Sequence, residues 1–151
     1  MIRAFQPSDV AAVRELLREY AVFVGDDPGF VPSFERDLAE LPGVYAPPAG
    51  CLLLGVEDGI PAGCAGLRRF DFDTGEMKRL YVRPDVQSKG LGRALTAAII
   101  EQARAVGYRR LVLDTLPKME RAAGLYRSLG FRPIAPYGNK IPSALCFEFT
   151  L

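Results

Sequence analysis

Glu76-Met77-Lys78-Arg79-Leu80-Tyr81-Val82-Arg83-Pro84-Asp85-Val86-Gln87-Ser88-Lys89-Gly90-Leu91-Gly92-Arg93-Ala94-Leu95 is the stretch that decides the fold. Glu76 to Val82 reads as a strand. A short loop leads into a helix from Gly90 to Val106, with Leu91, Leu95, Ala98, Ile99, Gln102 and Val106 on one side and Gly107 as its stop. Arg110 to Asp114 is the next strand. A strand–helix–strand crossover is right-handed and places its two strands parallel. The first amides of the helix have no partner within it and, with the helix dipole, form an anion site. Gly90 and Gly92 let a ligand approach the backbone closely. Lys78, Arg79, Arg83, Lys89 and Arg93 stand here against only Glu76 and Asp85, in a chain of formal net charge +1. A polyphosphate ligand is the economical reading.

Outward from this stretch the chain alternates short strands and helices. Ile2 to Phe5 is a strand, and Pro7-Ser8-Asp9 starts a helix with Ser8 as its N-cap. Val10, Val13, Leu17 and Tyr20 recur at helical spacing, with Arg14, Glu15, Arg18 and Glu19 facing water. Gly25 to Pro32 is a loop, and Phe34 to Leu41 a second short helix stopped by Pro42-Gly43. Cys51 to Val56 and Ile60 to Arg69 flank Glu57-Asp58-Gly59, a strong hairpin signal. Lys118 to Leu129 is a helix ended by Gly130, and Phe131 to Ala135 and Ala144 to Leu151 are the last strands. The expected fold is α/β, with a mixed, mostly antiparallel sheet, one parallel strand pair and about four helices, in a single domain over residues 1–151.

Composition narrows the function. With 151 residues, 49% apolar and 25% charged, the chain matches an ordinary soluble domain. It has no histidine, which removes Ser-His-Asp and Cys-His pairs and imidazole zinc sites, so no metal is expected. Cys51, Cys64 and Cys146 each sit in an apolar run and read as buried, reduced thiols. Near-neutral charge argues against nucleic acid. Met1-Ile2-Arg3-Ala4 leads straight into a strand, so no signal peptide is expected. No apolar run approaches the ~18 residues of a membrane span. The expectation is a reducing cytoplasm and no membrane partner.

A mononucleotide loop of the form G-x-x-x-x-G-K-[ST] is absent. A dinucleotide fingerprint fails at Leu95, although Asp114 lies at a suitable distance for a ribose contact. Gln87-Ser88-Lys89-Gly90-Leu91-Gly92 resembles the Q/R-x-x-G-x-G/A signature of the GCN5-related N-acetyltransferase (GNAT) family. Leu80-Tyr81-Val82-Arg83-Pro84 looks like the strand before it. Ala122-Ala123-Gly124-Leu125-Tyr126-Arg127-Ser128-Leu129-Gly130-Phe131 is similar to the family's second motif, A-x-x-L-Y-x-x-x-G-F.

The resemblance implies a GNAT fold whose parallel strands splay, with acetyl-CoA as the acyl donor. It implies that the pyrophosphate lies on the amides of Gln87, Ser88, Lys89, Gly90, Leu91 and Gly92, with Arg93 nearby. It implies a bulge in the central strand, Leu80-Tyr81-Val82, whose freed backbone groups at Leu80 and Val82 bond the pantetheine arm and the acetyl carbonyl. Transfer is then direct, in a ternary complex. Tyr126 matches the general acid near sulfur, and Glu76 the position of a general base. The family asparagine three residues before the motif alanine is Met119 here, and Lys118 stands in as a phosphate or ribose contact.

The resemblance implies that the acceptor enters between the N-terminal helices and the last strands. Its candidate lining is Phe23, Phe30, Phe34, Tyr45, Arg68, Tyr137 and Asn139. These residues permit a small amine, including one bearing a carboxylate, and equally a protein N-terminus or lysine. A non-catalytic acyl-CoA sensor is the alternative of another class. A homodimer is compatible with the resemblance.

Overall fold

The computed structural model describes residues 1–25 and 31–151. The chain opens with a short strand, β1 (Ile2–Ala4), and enters α1 (Val10–Val24) through a 3-10 turn at Pro7–Asp9. Asp9, rather than Ser8, organises that start. Its carboxylate accepts the Gln6 N–H at 2.8 Å and two bonds from the Arg3 guanidinium at 2.7 and 2.9 Å. A carboxylate is the stronger acceptor, and it adds charge attraction that a hydroxyl lacks. α1 buries Val13, Leu16, Leu17 and Val24. α2 (Val31–Glu40) follows, then a 3-10 turn at Gly43–Tyr45.

β2 (Cys51–Glu57) and β3 (Ile60–Arg69) form the expected hairpin. Asp58 (φ 52°) and Gly59 (φ 78°) are both left-handed, the geometry a two-residue turn needs to match strand twist. β4 (Thr74–Val82) pairs antiparallel with β3. A 3-10 turn at Pro84–Lys89 leads to α3 (Leu91–Val106) and then β5 (Arg110–Thr115), parallel to β4. α4 (Glu120–Leu129), β6 (Arg132–Ile134) and β7 (Leu145–Thr150) complete the chain. The sheet order among the described residues is β1-β2-β3-β4-β5-β7-β6.

The sheet separates two apolar clusters. One packs α3 and α4 onto Leu67, Met77, Val82, Leu111 and Leu113. The other packs α1 and Tyr45 onto Leu52, Leu54 and Cys64. On α3 the stripe runs Leu91, Leu95, Ile99 and Ala103 in steps of four, with Thr96 and Ile100 beside it. Gln102 is exposed, contrary to the expected face. Cys64 and Cys146 are buried, Cys51 is half-buried, and all three are free thiols. No helix among the described residues is long and apolar enough to cross a membrane.

Candidate functional site

β4 and β5 pair only at Thr74–Arg110, Gly75–Leu111 and Glu76–Val112. Beyond Glu76, β4 runs on to Val82 and β5 to Thr115 with no register between them. The strands therefore splay. A bulge lies on the far side of β4. Tyr81 pairs with Cys64 and Lys78 with Gly66, so two residues, Arg79 and Leu80, stand opposite Ala65 alone. The extra residue shifts side-chain parity, and Met77, Leu80 and Val82 all face the α3 cluster while Tyr81 faces α1.

Arg79 supplies the bulge's left-handed residue, at φ 61°. A long side chain there is costly. It is offset by a buried network from α2. Arg79, 5% exposed, donates through Nε to Asp37 Oδ2 at 2.8 Å and through its terminal nitrogen to Ser33 Oγ at 3.1 Å. Its guanidinium lies 5.8 Å from the Phe34 ring centroid. The Tyr45 hydroxyl donates to the same Asp37 oxygen at 2.5 Å. Tyr45 in turn needs Gly66: a Cβ there would come within 2.7 Å of its ring. The bulge is thus bolted to α2.

A cavity of about 380 Å³ opens against the bulge. Leu80, Met119 and Tyr126 line it, as do Arg36, Arg68 and Asn139. Tyr126, on α4, is 5% exposed and packs on Phe131 and Phe147. Burial pushes its phenol pKa well above the ordinary value, helped by Tyr20 and Asp114. The hydroxyl holds its proton at neutral pH.

Glu76 sits at the base of the splay, 2% exposed. Its Oε2 accepts the Tyr137 hydroxyl at 2.6 Å and lies 3.0 Å from Lys140 Nζ. Among the described residues its Oε1 has only Arg68 Nε, at 3.8 Å. Lys140 Nζ also reaches Asp114 Oδ1 at 3.1 Å, and Lys78 Nζ reaches that oxygen at 3.5 Å. Desolvation works against the Asp114 carboxylate, but the two ammoniums outweigh it and hold its pKa below the usual range. Asp114 and Lys140 were not legible as site residues. Asp114 is a polar residue in an apolar strand, which is a signal; Lys140 lies in a loop and offers none.

At the other end of β4, Gly90 (φ 78°) begins α3, and a Cβ there would meet open space. Gln87 braces the loop, donating to Val82 O at 3.1 Å and accepting from Arg121 at 3.0 Å. Ser88, Lys89 and Gly90 are exposed, Leu91 is core, and a Cβ on Gly92 would stand at ordinary contact distance from Leu125 on α4. The cation surplus expected here does not survive folding. Strand alternation and the bulge send Lys78 to Asp114, Arg79 to Asp37, and Arg83 to Glu19 (2.9 Å) and Glu15 (3.1 Å). Lys89 lies 3.7 Å from Glu57, and Arg93 donates to Ser128 Oγ at 2.7 Å. What remains for an anion is mainly the row of α3 amides. Lys118 donates to Val24 O at 2.7 Å, across to the end of α1. Of the expected acceptor lining, Tyr45, Arg68 and Asn139 face the cavity. Tyr137 reaches the site through Glu76, Phe34 packs under Arg79, and Phe23 is 59% exposed. Phe30 lies outside the described residues.

The titrations predict a flat stability profile near neutrality. Arg3 holds the Asp9 carboxyl low, Arg132 and Arg110 hold Glu148 low, and Asp114 is low as described. For depressed carboxylates the added stability is complete above the unfolded values of about 4 and is lost as pH falls through the folded ones. Burial raises Cys51 to about 11 and Cys64 to about 12. Their contribution is complete below the unfolded value of about 8.5 and is lost as pH rises toward the folded values. With no histidine in the chain, the urea midpoint should stay level from about pH 5.5 to 7.5. A step near pH 6.5 would contradict this.

Comparison with known proteins shows the family and the fold. The family model of the acetyltransferase (GNAT) family matches residues 10–131. An uncharacterised N-acetyltransferase of Schizosaccharomyces pombe is 36% identical over 142 residues, covering 92% of this chain and 86% of that protein. An acetyltransferase structure from Streptococcus agalactiae superposes with a TM-score of 0.83 at 22% identity, over 100% of this chain and 98% of that one. A Salmonella typhimurium acetyltransferase structure, solved with acetyl-CoA, gives a TM-score of 0.75 at 23% identity, over 99% and 92%.

Proposed function

The chain belongs to the GNAT family of N-acetyltransferases, and from that premise we propose that it moves an acetyl group from acetyl-CoA directly onto the primary amine of a small molecule. The carrying observation is that the splay of β4 from β5 opens beside a cavity of about 380 Å³. That volume falls in the range of small-molecule sites. The site fits the donor. The α3 amides and the open space at Gly90 can take a pyrophosphate. Leu80 and Val82 have no partner on β5, and the backbone groups that face the splay offer strand-like bonds to a pantetheine arm.

Bound acetyl-CoA supplies an acyl group activated as a thioester, whose C–S bond breaks as the amine's N–C bond forms. Backbone N–H groups freed by the bulge stabilise the charge that gathers on the acyl oxygen. Tyr126 gives its proton to the departing sulfur, and the second proton of the acylated nitrogen restores the phenol, so CoA leaves as the thiol. Glu76 takes the proton of the incoming ammonium at Oε1, the oxygen not engaged by Tyr137 and Lys140. Gln87 and Arg93 brace the pyrophosphate loop, and Ser88 and Lys89 border it. Lys118 ties the loop before α4 to α1 and so shapes the cofactor's flank.

Two measurements test this. Acetyl-CoA at 100 times its Kd should stabilise the protein by about 2.7 kcal/mol. For a chain of this size that raises Tm by about 5–10 °C. No shift with acetyl-CoA or CoA would remove the donor assignment. Initial rates of thiol release against both substrates should give intersecting double-reciprocal lines; parallel lines would mean an acyl-enzyme and sink direct transfer.

A further inference from the structure

The ionisable groups that line the cavity do not balance. Arg36, Arg68, Lys78, Arg79 and Lys140 are cations, against the carboxylates Asp37, Glu76 and Asp114. Asp37 is matched by Arg79 at 2.8 Å, Glu76 by Lys140 at 3.0 Å, and Asp114 by Lys78 at 3.5 Å. Arg36 and Arg68 are the surplus. Arg36 has no ion pair among the described residues. Among the described residues the one ion pair of Arg68 is the 3.8 Å approach to Glu76; its Nε also donates to Arg69 O at 3.4 Å, and its side chain is 38% exposed.

The donor's phosphates do not account for this charge. Arg68 pairs with Glu76 across β3 and β4, at the opposite end of β4 from the glycine loop. Glu76 to Val82 spans roughly 20 Å at about 3.3 Å per residue. A pyrophosphate on the α3 amides lies beyond Val82, and the pantetheine arm between is uncharged. Arg68 therefore faces the acceptor, and Arg36 lines the same cavity. A simple ammonium would be repelled there. A molecule that brings its own anion would be held, and the same cations would lower its ammonium pKa and favour the nucleophilic free amine.

We propose that the acceptor is an amine bearing a carboxylate, of the amino-acid type, with Arg68 its principal anion contact and Arg36 its second. This rests on the acetyltransferase reading above. Arginine suits the task because its planar fork binds a carboxylate through two parallel bonds.

The test is thiol release with acetyl-CoA and matched amines: alanine, aspartate and glutamate against alaninamide and spermidine. The carboxylate amines should show the higher kcat/KM. Arg68→Gln should raise KM for them about 10- to 100-fold, the loss expected for a charge-assisted hydrogen bond, and any change in kcat, since Arg68 also approaches Glu76 Oε1, should be shared by all the amines. The acetyl-CoA thermal shift should not move, and the KM for alaninamide should change far less than that for the carboxylate amines. Preference for alaninamide or spermidine would overturn the acidic acceptor while leaving the acetyltransferase intact. An equal effect of Arg68→Gln on the KM for every amine would reduce Arg68 to a structural residue. No thiol release from any amine, with the thermal shift present, would overturn the catalytic reading and this inference with it.

Discussion

Replacing Tyr126 by phenylalanine should cut turnover by about 100-fold or more, the lower end of what a positioned general acid supplies. The ring stays, so packing on Phe131 and Phe147 is kept. Among the described residues no hydrogen bond to the hydroxyl is present, so its removal orphans no partner there. Stability should therefore change little. The acetyl-CoA thermal shift should also be retained, because a proton-transfer role acts on kcat and not on donor binding. Stopped assays of thiol release alongside donor titrations separate the two. An unchanged kcat would remove the acid role, and a lost thermal shift would make Tyr126 a binding residue instead. The raised phenol pKa adds a sign: wild-type activity should not fall through ionisation of this tyrosine until well above pH 10.

Asp37→Ala should be the most destabilising single change at the site. It leaves the Arg79 guanidinium buried without its carboxylate and removes the acceptor of the Tyr45 hydroxyl. Breaking one side of a buried ion pair costs about 3–5 kcal/mol. At about 2–4 °C per kcal/mol for a chain this size, Tm falls by roughly 6–20 °C. Replacing both partners, Asp37→Leu with Arg79→Met, should recover most of that loss, since an apolar pair of similar volume carries no stranded charge. Activity should not recover with it, because the bulge loses its tie to α2. Thermal melts with thiol-release assays on the single and double variants check this. A loss under about 1 kcal/mol, or full activity in the double variant, would contradict the role given to the network.

Much of the fold was legible because it is locally written. Asp58-Gly59 dictates its own turn, and Gly107 and Gly130 end their helices in the left-handed region. The two motifs around Gly90 and Tyr126 carried the family. Three things were not legible. Ser8 was expected to cap α1, but the cap depends on Arg3 reaching Asp9 from the neighbouring strand. The cations around the glycine loop were read as a phosphate patch. A count along the sequence cannot see that the bulge turns Arg79 toward α2 or that Arg83 meets α1. The Glu76–Lys140–Asp114 cluster joins three segments across the sheet, and only the tertiary arrangement assembles it.

The central claim is that the splayed strands and the α3 amide row together hold the acyl donor. Backbone amide chemical shifts of ¹⁵N-labelled protein, titrated with acetyl-CoA, test it directly. The account predicts the largest shifts at Leu80, Val82 and Gly90 to Gly92, saturating together at one Kd. Saturable binding that leaves those amides unmoved and perturbs another surface would contradict it.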